Sequence, residues 1–208
     1  AELVSQIGNG KMLFVLDTLE NTKKAILEYD LDIAAINGRK GIVVAGTNEE
    51  VDRFAIFLKV KGVASIAVNT SHAFHSEMME SARAPFLNFM ESIQLKAPSI
   101  PMFTSSGISK NEDILRPEYW SSHIRETVNF LGAIEKVVSE FSSCLFLEVG
   151  TKNITSNFIK KELIHRKSNS RVISLLTDQC RDEDYSLKKS LALLWMNSMG
   201  WNKREAMY

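Results

Sequence analysis

The chain has 208 residues, enough for one large domain or two small ones, and its 45% hydrophobic and 24% charged residues are ordinary for a globular protein. Lys+Arg and Asp+Glu are both 25, so the formal net charge is zero, and with no basic block the electrostatic footprint of a nucleic-acid binder is excluded. The longest apolar runs, residues 41–46 and 144–147, are too short to span a bilayer, and two cysteines, Cys144 and Cys180, give no disulfide framework, which suits a reducing cytoplasm.

Residues 12–17 form a short apolar run and predict a strand. Residues 20–29 place Ala25, Ile26 and Tyr29 among charges at helical spacing. A second strand is expected over 31–36, with Asn37-Gly38 as a turn, and a third over 41–46. Asn48 offers an N-cap, with Glu49 and Glu50 in the first turn. That helix continues through Val51, Phe54, Ala55 and Leu58 towards Gly62 as its C-terminal stop. A fourth strand is expected over 63–68. The order β-α-β-β-α-β over residues 11–70 is that of a ferredoxin-like unit.

The second half alternates differently. Residues 76–95 read as helical, with Phe86, Phe89, Met90 and Ile93 on one face and Pro85 predicting a kink or a fresh start. Pro98 and Pro101 lead into an expected strand at 102–105. Helices are expected over 118–125, 130–141, 154–164 and 182–199. Strands are expected over 144–149, largely buried with Cys144 as a small hydrophobe, and over 172–176. The alternation argues an α/β fold.

Of the histidines His72, His75, His123 and His165, two stand in Ser71-His72-Ala73-Phe74-His75-Ser76, after a predicted strand and before a predicted helix. Ligands gather at such strand ends, and an imidazole there suits general-base work. The same pair also reads as polar residues ending a strand, or as two zinc ligands lacking a third; no C-x-x-C or H-E-x-x-H frames them. No G-x-S-x-G elbow occurs, and Thr104-Ser105-Ser106-Gly107 lacks its first glycine and reads as a loop. The residues alone therefore offer a base and no nucleophile.

The block 71–76, with Met79 three residues on, resembles the histidine motif of polyketide synthase acyltransferase domains. Other segments resemble the family in its own order. These are Ala35-Ile36-Asn37-Gly38 with residues 41–46, Ser99-Ile100-Pro101 with Thr104-Ser105, Glu118-Tyr119-Trp120, residues 123–130, and Leu147-Glu148-Val149-Gly150. The tail from Leu194-Trp195 through Trp201 to Tyr208 resembles the linker that follows such domains.

The resemblance implies the C-terminal part of an α/β-hydrolase-like acyltransferase core with a ferredoxin-like subdomain. Its divisions would be 1–70 for the small subdomain, 71–177 for the core part and 178–208 for the linker. It implies transfer of a malonyl unit from coenzyme A to a serine and then to the phosphopantetheine thiol of an acyl carrier protein. Adjacent ketosynthase and other synthase domains would be partners in a cytoplasmic enzyme. No permanently bound cofactor and no metal is implied.

By the same resemblance, His75 is the general base of a Ser-His dyad, oriented by the backbone carbonyl of His123. His72 and Phe74 occupy the positions that select malonyl over methylmalonyl units. The serine elbow and a carboxylate-binding arginine are implied to lie upstream, so the chain alone is expected to be inert. Thr127 and Thr151 stand where the family usually has proline, loosening two turns, and Pro85 falls in a helix that usually lacks it. None of the three is expected to touch the dyad. Two other readings are a stand-alone malonyl transferase of fatty-acid synthesis, which the linker-like tail opposes, and an inert remnant serving as a docking platform.

Overall fold

The computed structural model describes residues 2–106, 113–176 and 183–197. Cys180, Gly107, Trp201, Tyr208 and the end of the last expected helix lie outside them. The chain divides into two compact units, Ala1–Lys136 and Val137–Tyr208.

The first unit opens with a short helix α1 (Glu2–Ser5), followed by β1 (Lys11–Val15), α2 (Leu19–Ala25), β2 (Leu31–Gly38), β3 (Gly41–Gly46), α3 (Asn48–Val60) and β4 (Ser65–Val68). The strands pair antiparallel in the order β2-β3-β1-β4, the expected ferredoxin-like unit. Alternation along β1 and β3 splits the side chains between two faces. Leu13, Val15 and Val44 pack with Val51, Phe54 and Leu58 of α3. Met12, Val43 and Ala45 serve the opposite face with Ala34 and Ala35. A register shift between Ile33 and Ala35 lets two successive alanines join one cluster.

Local chemistry sets the helix ends, with corrections to the sequence reading. The N-cap of α3 is Thr47, not Asn48: its hydroxyl accepts from the Glu50 amide at 3.3 Å, and Asn48 is the first helical residue. Thr18 caps α2 in the same way, at 3.2 Å from the Asn21 amide. Gly62, at φ +70°, ends α3 as expected. The Gly62 amide donates to Lys59 O (3.2 Å) and the Val63 amide to Leu58 O (2.9 Å), a Schellman pair that needs the left-handed residue between them. Asn37-Gly38 is not the hairpin turn: Gly38 still pairs with Gly41, and Arg39-Lys40 make the reversal.

After a 3₁₀ turn at Glu77–Met79, α4 (Glu80–Glu91) runs through Pro85 without a fresh start. It stops at Glu91 rather than 95, where the Ser92 hydroxyl donates to Phe89 O at 2.6 Å. The expected strand at 102–105 does not form. Among the described residues no strand pairs with it to complete a ladder, and the Asn129 amide donates to Ser105 O at 2.5 Å. Next come α5 (Pro117–Ser122), shorter than expected, and α6 (Phe130–Glu140), whose Gly132 amide donates to Asn129 Oδ1 at 2.9 Å.

In the second unit β5 (Leu145–Glu148) pairs parallel with β6 (Arg171–Ser174), accompanied by α7 (Ile154–His165) and α8 (Glu183–Asn197). The expected buried strand is only half-buried, Leu147 being 42% exposed. Cys144 is likewise half-buried and polar in its contacts: its amide and thiol reach Ser170 Oγ at 3.1 and 3.4 Å. The Glu148 carboxylate caps α7, accepting from the Thr155 and Ser156 amides at 3.0 and 2.9 Å. Burial raises its proton affinity, but the hydrogen bonds from Ser156 and Thr155 outweigh that and hold the carboxyl below its usual range.

Candidate active site

The histidine loop is built on the face of the sheet opposite α3. Met12, Ala34, Ala35, Val43 and Ala45 form that face; Ala73 completes the buried cluster, and Phe74, Met78 and Val128 pack against it. Small side chains let the backbone of the loop come close. At Gly10, just before β1, a Cβ would sit 2.7 Å from Ala73 Cβ and 2.9 Å from Gly46 O, so only glycine fits. The Gly10 amide donates to Ser71 O at 3.1 Å, and the wholly buried Ser76 hydroxyl closes the loop onto Ala73 O at 2.6 Å.

This fold of the loop places His75 at φ +60°, an uncommon conformation for a residue with a Cβ. Its amide donates to Ile124 O at 3.1 Å, and its Nδ1 lies 3.0 Å from Glu126 O. A carbonyl can only accept, so Nδ1 carries the proton and Nε2 keeps a lone pair. Burial pushes the imidazole below its ordinary pKa; the Glu126 and His123 carbonyls oppose this, and the charge of a protonated His123 adds to it. The resemblance named the His123 carbonyl as the orienting group. The hydrogen bond the ring makes is three residues further on, with the His123 carbonyl acting alongside.

Residues 122–128 form a strap over the loop. The Glu126 amide is anchored to Ser122 O at 2.9 Å. Val128 pairs with β2, its amide on Ala34 O at 2.9 Å and its carbonyl accepting from Ile36 at 2.8 Å. Between them the Thr127 hydroxyl donates to Ile33 O at 2.6 Å, so this threonine tethers the turn it was expected to loosen. Arg125 lies 2.6 Å from Glu77, 3.7 Å from Asp32 and 3.8 Å from Glu80, and Asp32 also accepts from the Glu77 amide at 2.6 Å.

The other histidines differ. His72 Nδ1 lies 2.8 Å from Ser71 Oγ, and its ring is 5.9 Å from that of Phe74. The His123 ring lies 4.7 Å from Tyr119 and 5.9 Å from Trp120; its Nε2 is buried and has no hydrogen-bond partner among the described residues. Burial lowers its pKa, against the charge of Glu126. His165 ends α7 in the second unit. Among the described residues no hydroxyl or thiol bonds the His75 ring, and no group of three or more His, Cys, Asp or Glu is placed to hold a metal. Ser106, in the expected loop, donates to Tyr119 OH at 2.8 Å. No helix of the described residues is long and apolar enough to cross a membrane.

The sequence reading missed Gly10, the Glu126 carbonyl and the tether at Thr127. Gly10 stood in view, a glycine directly before a strand; the carbonyl leaves no mark in any side chain.

The chain matches the acyl transferase domain family over residues 2–195. Polyketide synthase GfsA of Streptomyces halstedii is 35% identical over 153 residues, covering 71% of this chain and 2% of that protein. The conidial yellow pigment biosynthesis polyketide synthase of Emericella nidulans is 29% identical over 208 residues, covering 96% of this chain and 9% of that protein. The acyltransferase domain from module 8 of the salinomycin polyketide synthase superposes with a TM-score of 0.86 at 20% identity, covering 96% of this chain and 48% of that one. The domain from the second module of that synthase gives 0.83 at 24% identity, covering 96% and 47%. The chain thus spans about half of these solved domains and a small part of the curated relatives it matches.

Proposed function

This chain belongs to the acyl transferase domain family of polyketide synthases, and from that premise we propose that it carries the base of a malonyl-type acyltransferase, His75. One observation above all supports the reading: the ring is held through Nδ1 by the Glu126 carbonyl, which leaves Nε2 as a proton acceptor. The lowered pKa favours the neutral, basic form near pH 7.

The nucleophile is a serine outside these 208 residues, since no G-x-S-x-G occurs among them. Its Oγ attacks the thioester carbonyl of malonyl-coenzyme A and its proton passes to His75 Nε2. The tetrahedral intermediate collapses, the C–S bond breaks, and the coenzyme A thiolate takes that proton. In the second half the phosphopantetheine thiol of an acyl carrier protein loses its proton to Nε2 and attacks the acyl-serine carbonyl; the C–Oγ bond breaks and the serine oxygen takes the proton back from Nε2. A carbonyl holds the tautomer as an aspartate does but stabilises the imidazolium less, because it carries no full charge.

His72 and Phe74 are the specificity positions in this reading. A ring at Phe74 opposes the extra methyl of a methylmalonyl unit, a discrimination of about 1–3 kcal/mol. The carrier protein and the neighbouring synthase domains are the partners, within a cytoplasmic synthase.

The test joins this chain to a segment bearing a G-H-S-x-G elbow from a related acyltransferase and follows acyl-serine formation from malonyl- and methylmalonyl-coenzyme A. Loading of malonyl is expected to dominate and to fall roughly 10²–10⁴-fold in His75→Ala. Undiminished loading in that variant would remove His75 from the chemistry.

A further inference from the structure

The Glu126 carbonyl must point at His75 Nδ1 for the ring to keep one tautomer, and nothing about a carbonyl in a strap ensures that. It shares a rigid plane with the Thr127 amide, and the plane turns about the soft dihedrals on either side. One side is anchored by the Glu126 amide on Ser122 O at 2.9 Å. On the other side the nearest side-chain anchor is the Thr127 hydroxyl on Ile33 O at 2.6 Å, ahead of the pairing of Val128 with β2. That hydroxyl bridges residues 94 apart in sequence, joining the strap to the sheet on which the histidine loop lies.

We propose that Thr127 is a positioning residue of this site: its hydroxyl fixes the Glu126 carbonyl, and through it the tautomer and direction of the His75 ring. The inference rests on the reading of His75 as the base. Thr127 touches neither the ring nor any reacting atom. Its bond to Ile33 O holds one peptide plane, and that plane holds Nδ1–H. Without the hydroxyl, β2 pairing through Val128 persists, while the plane is free to rotate away from the ring.

The test needs no nucleophile or substrate and uses the 208-residue chain. Long-range proton–nitrogen NMR of ¹⁵N-histidine-labelled protein reads the tautomer and titration of His75, assigned with His75→Gln. The native chain is expected to give a single Nδ1–H tautomer. Thr127→Val, of matching shape, should give a mixture of both tautomers with the Val128 and Ile36 amide signals unmoved, and Thr127→Ser should restore the native pattern. A Thr127→Val ring identical to the native one overturns the proposal, as does a Thr127→Ser ring that behaves like Val. Should the valine variant fail to fold, Thr127→Ala is read for the same two outcomes. These outcomes are separate from the fate of the base reading, which His75→Ala decides by acyl transfer in the joined domain.

Discussion

The two faces of the four-stranded sheet are covered in opposite ways. One face meets α3 through large side chains in a regular pattern, with Phe54 fully buried and its ring 5.1 Å from Tyr29 and 6.0 Å from Phe57. The other presents alanines, a glycine edge and Met12 to an irregular loop, and the loop is held by a strap about fifty residues later in the chain. The first face supplies stability through buried apolar area. The second gives up side-chain volume so that backbone amides and carbonyls can come within hydrogen-bonding distance of a histidine. The geometry proposed for the base is thus carried by the face that buries the smaller side chains.

Phe54→Ala attacks the regular face and should have the largest effect, about 3–5 kcal/mol, because the side chain is wholly buried, with the rings of Tyr29 and Phe57 beside it in a cluster of aliphatic side chains. Chemical denaturation should show the first unit losing α3 and the His75 tether together; a histidine loop that persists after α3 has melted would mean that the faces are not coupled in this direction. Gly10→Ala strikes the other face. Its Cβ would meet Ala73 Cβ at 2.7 Å and backbone at 2.9 Å, an overpacking cost of about 1–3 kcal/mol. The loop is expected to move off the sheet, with the His75 Nδ1 resonance shifting while the amide protection of α3 is retained. Equal losses on both faces would contradict the division.

The faces also differ in how far they can be read from sequence. The apolar spacing of Val51, Phe54 and Leu58 announced α3 and its buried side, because a helix of period 3.6 writes its environment into neighbouring residues. Gly62 announced its end for an equally local reason. The N-cap of α3 was misplaced by one residue, since Thr47 and Asn48 are both good cap formers and only the backbone decides between them. The alanine face had no such signature: Ala34, Ala35 and Ala45 look like unremarkable strand residues until the loop is laid over them. His75 became legible through its resemblance to a family motif, not through periodicity. Its partner at Glu126 is a backbone atom, and the distance between them in sequence defeats any local reading. The missing strand at 102–105 failed for the converse reason, since a local extended preference makes no ladder without a neighbour.

The smallest effect, and the one that separates the faces by chemistry, is their response to acid. His72, His75 and His123 all belong to the loop-and-strap side of the first unit, while the residues packed around α3 include no histidine. Burial leads the lowering of both the His75 and His123 pKa values from 6.5, so the folded state binds fewer protons than the unfolded one as the pH falls below that value. The stabilisation is fully present above the unfolded pKa of 6.5 and is lost as the pH drops through the lower folded values. Native-state hydrogen exchange between pH 7 and about 5, above the ordinary carboxylate range, should therefore show the His75 and Val128 amides opening while Phe54 in α3 stays protected. A His75→Gln, His123→Gln double variant should flatten that dependence. If the loop amides keep equal protection at both pH values, the two imidazoles do not set the acid response of this face.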